Sequence, residues 1–338
     1  MKNIHRGNRI FVALVVLWVI LIMQPGGGRA DESWLHSVRE GLSGTATSPD
    51  YVLQAAGYDE KEGKKGEQET KLSNLTLLNF FTEGWGQPWA HREGETPDMA
   101  LLRVTTNFLE RELRLDYAFT DMRNVSKYNR TQFVDELIAY GVNRRLMIEV
   151  IGNYQWNLGT PTGAPSDGAS AAGLLRFQLV DTPDKSYAAQ VRVTSPNKGI
   201  DVNQTSFQYT LAGWQDMHAL FPFLKRVGLY YSFQYENLQG SHGAGGRSND
   251  ISYDISIAKT WTNPETPVVG NFTTFVEAYA TQDLDGGNKG AYTVTLTPAI
   301  RFWFLPKNSF TLGVDFPLRN NPSTAFNEVY RFTYILNF

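Results

Sequence analysis

The sequence contains no cysteine and only five histidines among its 338 residues. Disulfides therefore contribute nothing to its stability, and no cluster of histidine and cysteine predicts a metal site or a bound cofactor. The four histidines after residue 30 lie far apart, at His36, His91, His218 and His242. Because the histidines are scattered, no serine–histidine catalytic site is visible, and we expect neither an enzyme nor a cofactor-dependent protein.

The chain also lacks a strong excess of one charge, and it has few long apolar runs. The net charge is −3, and no basic stripe predicts binding to nucleic acid. A membrane-spanning helix needs about 20 apolar residues, and only one run, Ile10–Met23, approaches that length. Aromatic residues make up 13% of the chain although its mean hydropathy is −0.32. The composition therefore excludes a bundle of membrane helices and leaves an aromatic-rich chain that is not apolar on average.

The one apolar run has the features of a secretory signal peptide. Lys2, Arg6 and Arg9 precede it, and Gly28-Arg29-Ala30 supplies a small-x-small end. We predict a signal peptide over residues 1–30, with a membrane anchor as the alternative. Residues 31–75 are polar and without periodicity, which predicts a flexible segment.

Residues 76–111 form an aromatic N-terminal element. Its candidate plug residues are Phe80, Phe81, Trp85 and Trp89, and a periplasmic stretch at the membrane interface is the alternative. Within this element, Leu101–Phe108 also has a strand-like pattern.

Strict alternation of apolar and polar residues begins at Glu112 and continues to the last residue. In Glu112–Thr120, for example, every second residue is leucine, tyrosine or phenylalanine. The pattern predicts strands near 112–120, 132–140, 146–156, 172–180, 186–194, 204–213, 227–235, 251–257, 270–281, 292–304, 310–316 and 330–338. The number of predicted strands is twelve, and it becomes fourteen if Leu101–Phe108 and a partner near 72–84 also span the membrane.

Short connectors alternate with longer ones rich in glycine, proline, asparagine and serine. Residues 180–186 and 305–309 are compact, whereas 157–173 and 237–250 are long. This asymmetry is typical of a transmembrane antiparallel up-and-down β-barrel, which we predict for residues 112–338. Two connectors, 211–226 and 262–270, are long although they fall on the side of the barrel where short turns are expected. A soluble exported β-protein remains the alternative, because alternation alone does not say which face meets the core.

Charged residues fall on the polar faces of the predicted strands, so we expect them to line the barrel lumen. The candidates are Glu112, Arg114, Asp116, Glu149, Arg176, Arg192, Glu236, Asp254, Arg301 and Arg331. Glu277 falls on the same face. Neither sign dominates, which argues against an ion-selective ring of one charge.

The C-terminal strand resembles the assembly signal of Gram-negative outer-membrane proteins. Its matching residues are Tyr330, Phe332, Tyr334, Leu336 and the terminal Phe338. The resemblance implies that the barrel-assembly machinery and outer-membrane lipid are partners of the chain, and that it is located in the outer membrane of a Gram-negative bacterium.

A second resemblance covers most of residues 112–338. The stretches ELIAYGVNRRLMIEV, VRVTSPNKG and LGVDFPL are similar to motifs of the outer-membrane family named for meta-pathway phenol degradation, and TEGW at 82–85 resembles its N-terminal element. The resemblance implies a porin-like transporter for passive uptake of small molecules, including aromatic or hydrophobic ones. A closed structural or adhesive barrel with binding surface loops is the alternative function.

Overall fold

A computed structural model describes residues 99–122, 130–143, 145–158, 167–182, 184–196, 204–240, 248–263, 266, 269–305, 307–321 and 325–338. The predicted signal peptide, the polar segment 31–75 and the candidate plug residues Phe80, Phe81, Trp85 and Trp89 lie outside the described residues. No helix in the described part is long and apolar enough to cross a membrane.

Twelve antiparallel strands close into a barrel, in which each strand pairs with its neighbours in sequence. They are β1 (Arg111–Asp121), β2 (Arg130–Gly141), β3 (Leu146–Leu158), β4 (Asp167–Thr182), β5 (Lys185–Thr194), β6 (Gln204–Asp216), β7 (Val227–Gly240), β8 (Asn249–Thr260), β9 (Gly270–Asp283), β10 (Tyr292–Leu305), β11 (Asn308–Arg319) and β12 (Glu328–Asn337). The predicted fold class and the count of twelve strands are confirmed.

Side chains alternate between the two faces of the barrel wall, as β8 illustrates. Asp254 and Ser256 are 3% and 1% exposed on the inward face. Ile255 and Ile257 are 49% and 60% exposed on the outward face. Because side chains of a strand point alternately to opposite faces, the two-residue period in the sequence becomes a polar interior and an apolar exterior.

The first and last strands close the barrel. Their antiparallel register runs from Glu112 opposite Asn337 to Asp121 opposite Glu328. Beyond it, the backbone N–H of Phe338 donates to the carbonyl of Arg111 at 3.0 Å. Closure leaves no strand edge with unpaired backbone groups.

The connectors define two rims, which we call the turn side and the loop side. The turn side also holds the start of β1 and the end of β12, and its connectors are 142–145, 183–184, 217–226, 261–269 and 306–307. The loop side has connectors 122–129, 159–166, 195–203, 241–248, 284–291 and 320–327. Connector 217–226 begins with a short helix, α1 (Met217–Leu220), whose N-cap Asp216 accepts a hydrogen bond from the backbone of His218 at 3.2 Å.

Leu101–Phe108 is not a strand, so the fourteen-strand alternative is wrong for this stretch. Leu101, Val104 and Phe108 are 2%, 4% and 5% exposed, and the segment packs inside the barrel against inward-facing side chains. Its backbone hydrogen-bonds to side chains of the wall, which replaces the ladder that a spanning strand would need.

Candidate functional site

The barrel lumen contains residues Met99–Glu110, which we call the lumen segment. Met99, Leu101, Val104 and Phe108 form one buried cluster with the wall. The wall residues of this cluster are Trp214, Tyr230, Ala258, Phe275 and Ala299. Burial of each large apolar side chain stabilises the docked segment by about 1.5–3 kcal/mol. The segment therefore packs into the wall like part of a protein core.

Glu277, near the middle of β9, holds the backbone of the segment. Its carboxyl oxygens accept hydrogen bonds from the N–H of Arg103 at 3.2 and 3.1 Å, and one oxygen accepts from the N–H of Val104 at 3.1 Å. Glu277 is 0% exposed. Because an irregular segment cannot pair its N–H groups with a sheet, this side chain supplies acceptors that would otherwise be missing.

Asp315 of β11 joins the segment to two further strands. The guanidinium of Arg103 forms an ion pair with its carboxylate, and Arg331 Nε donates to the same oxygen at 2.8 Å. The hydroxyl of Thr297 donates to the other oxygen at 2.7 Å. Arg103 also lies 4.6 Å from the ring centroid of Tyr279. A fully buried acid thus has partners on the segment, on β10 and on β12.

A second anchor lies nearer the turn side, around Arg176 of β4. This guanidinium donates to the carbonyl of Phe108 at 2.7 Å and pairs with Glu149 at 2.7 Å. The side chain of Asn107 donates to the carbonyl of Ser186 at 3.2 Å. Ser186 follows the 183–184 turn, so this end of the segment lies close to the turn-side rim.

The remaining contacts reach other parts of the wall. Arg114 donates to the carbonyl of Leu101 at 3.2 Å. Gln234 Nε2 donates to the hydroxyl of Thr105 at 3.2 Å. These bonds come from β1 and β7, so the segment is held from several directions.

The structure places all ten predicted lumen residues on the inward face of their strands. Two of them, Arg114 and Arg176, contact the lumen segment directly. Three act through a partner: Glu149 through Arg176, Arg331 through Asp315, and Asp116 through Arg114, with which it pairs at 2.7 Å.

Three of the other predicted residues contact the wall itself. Asp254 accepts from Ser232 at 2.7 Å, Arg301 donates to Ser309 at 3.1 Å, and Glu236 accepts from Ser206. Glu112 is 4% exposed, and Arg192 is partly buried on β5. The charged residues therefore form several small groups along the wall.

Sequence reasoning missed Arg103 and Asp315, the pair that links segment and wall. Asp315 could have been found, because it alternates with Leu312, Val314 and Phe316 and must face inward. Arg103 had no such signal, since only the tertiary structure shows that its segment enters the lumen.

Several inward-facing hydroxyl groups have no hydrogen-bond partner among the described residues. They belong to Thr210, Ser256, Thr295 and Thr311, and one carboxyl oxygen of Asp254 is in the same situation. A buried polar atom without a partner costs about 1–3 kcal/mol. These atoms are therefore suited to hydrogen-bond water or a solute inside the lumen.

Within the described residues, no group of three or more histidine, cysteine, aspartate or glutamate side chains is placed to hold a metal ion. No protein-family model matches the chain, and no curated protein matches its sequence. The family resemblance noted in the sequence therefore stays a prediction.

Solved structures with a similar fold include three bacterial proteins. The KdgM porin has a TM-score of 0.44 at 10% identity, covering 67% of this chain and 99% of its own. The NanC porin has a TM-score of 0.46 at 10% identity, and the match covers 68% of this chain and 100% of the porin. An outer membrane channel from Pseudomonas putida F1 has a TM-score of 0.46 at 12% identity, and the match covers 70% of this chain and 97% of the channel. These values are too low to carry a function from those proteins to this chain.

Proposed function

We propose that the chain is a porin-like channel in the outer membrane of a Gram-negative bacterium, where it admits small molecules by passive uptake. The observation that carries this proposal is a closed twelve-stranded barrel with an apolar exterior and a polar lumen. Closed barrels are one of the two architectures that satisfy every backbone hydrogen bond within a bilayer.

The outward face supports a membrane rather than a soluble setting. Val150, Leu211 and Ile257 are 63%, 57% and 60% exposed on the outside of the barrel. A soluble barrel would place such residues in its core and leave polar residues outside. Aromatic rings stand near the ends of outward faces, such as the stacked Tyr154 and Trp156, with centroids 6.3 Å apart. Rings at these levels suit the interface between lipid and water.

Small aromatic or apolar molecules are the solute class that the lumen segment favours. Phe108 meets Trp214 edge to face, with ring centroids 5.8 Å apart. Tyr230 and Phe275 belong to the same buried cluster. If the segment withdraws, it uncovers an apolar surface that another ring can contact, so the segment acts as a gate in this proposal.

A closed structural or adhesive barrel is the second candidate, because one observation favours it. The lumen segment is held by an ion pair of Arg103 with the buried carboxylate of Asp315 and by hydrogen bonds to Glu277 and Arg176. A segment that never leaves this position would seal the barrel, and function would then lie in the loops.

Uptake into liposomes distinguishes the two candidates. The full chain, folded into proteoliposomes, is tested with phenol, benzoate, a medium-chain fatty acid and a disaccharide. We expect the aromatic and apolar solutes to enter faster than in protein-free liposomes. Heat-modifiable gel mobility serves as the control for folding. A folded barrel that is sealed to every solute would contradict the channel and favour the structural barrel.

A further inference from the structure

One stretch of the turn-side rim exposes large apolar side chains together with positive charge. Leu220, Phe221 and Phe223 of connector 217–226 are 58%, 45% and 78% exposed. Trp261, which follows β8, is 58% exposed. We call these four residues the rim patch.

Trp261 continues the outward face of the barrel wall. It has the same parity along the chain as Ile255, Ile257 and Lys259, which lie on the outside of β8. Its indole Nε1 donates to the hydroxyl of Thr274 on the outside of β9 at 2.9 Å. The ring is therefore fixed at the point where the outward apolar stripe of β8 reaches the rim.

Connector 217–226 is fastened to the same place. Lys259 Nζ donates to the carbonyl of Lys225, and the backbone N–H of Thr260 donates to the carbonyl of Arg226 at 3.0 Å. Arg226 has a φ of 57°, and its guanidinium donates to the side chain of Asn263. These bonds hold the phenylalanine-bearing connector beside the end of β8.

Positive charge accompanies the exposed rings. Lys225 is exposed, and the ammonium group of Lys259 lies 5.7 Å from the ring centroid of Trp261. Arg226 adds a third cation. Among the described residues, Asp184 is an exposed acid of the turn side, and its backbone carbonyl accepts a hydrogen bond from Gln215 at 2.8 Å. Three cations beside four apolar side chains match the chemistry of a phosphate headgroup above acyl chains.

We propose that the rim patch binds anionic phospholipid of the leaflet on the turn side, with its rings among the acyl chains and Lys225, Arg226 and Lys259 at the phosphate groups. This inference rests on the proposed membrane function, because it continues the lipid-facing wall to the rim. The patch would set the depth of the β6–β9 side of the barrel in the bilayer.

Site-directed spin labelling tests the position of the patch, since the chain has no native cysteine. Phe223→Cys, Ile257→Cys and Asp184→Cys are labelled separately in the full chain in proteoliposomes. The accessibility of each label to oxygen and to a water-soluble nickel chelate is then measured. We expect position 223 to resemble the wall position 257, with oxygen favoured, and position 184 to favour the chelate.

Each other result has a defined meaning. If position 223 follows position 184 while 257 remains in lipid, the inference is overturned and the membrane barrel stands. A label at 223 that is shielded from both reagents indicates cover by protein and also overturns it. If position 257 is accessible to the chelate, the proposed membrane function itself fails.

Retention of phosphatidylglycerol tests the charges. The double variant Lys225→Gln/Lys259→Gln is compared with Lys185→Gln/Lys307→Gln, which removes the same charge elsewhere on the turn side. Lipid that remains bound after extraction from mixed phosphatidylethanolamine and phosphatidylglycerol membranes is counted by native mass spectrometry. We expect a loss of about fivefold in phosphatidylglycerol affinity for each patch charge removed. Equal losses in both double variants, or no loss in either, would overturn the assignment of a specific headgroup site.

Discussion

The side chain of Glu277 accepts hydrogen bonds from the backbone N–H of Arg103 at 3.2 and 3.1 Å, across 174 positions of sequence. One residue belongs to the middle of a wall strand and the other to a segment that precedes the first strand. This contact holds the lumen segment against the barrel wall. We therefore expect substitutions of Glu277 to change the passage of solutes more than the folding of the chain.

Replacement of Glu277 should loosen the lumen segment. Glu277→Ala leaves the N–H groups of Arg103 and Val104 without acceptors, at a cost of about 1–3 kcal/mol each. Every 1.4 kcal/mol lost from the docked state raises the population of an open state about tenfold. We expect higher single-channel conductance and faster liposome swelling. Glu236→Ala is the control, because Glu236 faces the lumen and bonds to Ser206 rather than to the segment. Equal conductance in both variants would contradict a gating role.

The buried pair of Arg176 and Glu149 should contribute to the stability of the barrel as well as to the docking of the lumen segment. Their side chains are each 5% exposed, and removal of one member of a buried pair costs about 3–5 kcal/mol because it leaves an unpaired charge. Arg176→Met should lower the free energy of unfolding by about this amount, as measured by urea unfolding in lipid vesicles. The double variant Arg176→Met/Glu149→Met should be more stable than Arg176→Met alone. Simple additivity of the two single effects would show that the pair is not coupled.

A covalent tether should test whether the lumen segment moves. A Cβ added to Gly313 would overlap the side chain of Leu102 and would lie 2.9 Å from the Cβ of Ala299. Cysteines in the variant Leu102→Cys/Gly313→Cys would therefore face each other, and no native cysteine competes with them. Oxidation should reduce solute uptake, and a reducing agent should restore it.

The variants Leu102→Cys/Gly313→Ser and Leu102→Ser/Gly313→Cys provide the control for the tether, since each has one cysteine and cannot form the intramolecular bond, and neither leaves Leu102 against the new Cβ at position 313. Uptake that is the same in the oxidised and reduced double variant would show that solute passes without displacement of the segment.

Removal of Phe338 should affect assembly more than transport. The paired register of β1 and β12 ends at Asn337, so the truncated chain keeps the pairs that close the barrel and loses one hydrogen bond to Arg111. Phe338 is 58% exposed, which leaves its ring free for recognition. We expect less barrel in the outer membrane of cells, measured by fractionation and heat-modifiable mobility, but unchanged uptake by protein refolded in liposomes. Normal insertion of the truncated chain in cells would contradict an assembly signal at this residue.

Alternation was enough to predict most of the barrel. The two-residue periods in 227–235 and 251–257 predicted the strands that the structure shows as β7 and β8. The same periods predicted that Glu236 and Asp254 face the lumen. The two long connectors on the turn side, 217–226 and 261–269, departed from the simple rule of short turns. Both carry residues of the rim patch, whose exposed rings follow the end of the strand pattern.

The amino-acid sequence by itself determined the alternating strands and placed their charged residues on one common face, because a two-residue period is a local property of the backbone. Only the tertiary structure decided the position of Leu101–Phe108. The same alternating pattern suits a strand and a segment buried within a lumen, and the choice depends on acceptors such as Glu277 and Asp315, which lie far away in sequence. The partners of Arg103 could therefore be identified only from the tertiary structure, in which the closed barrel surrounds this residue.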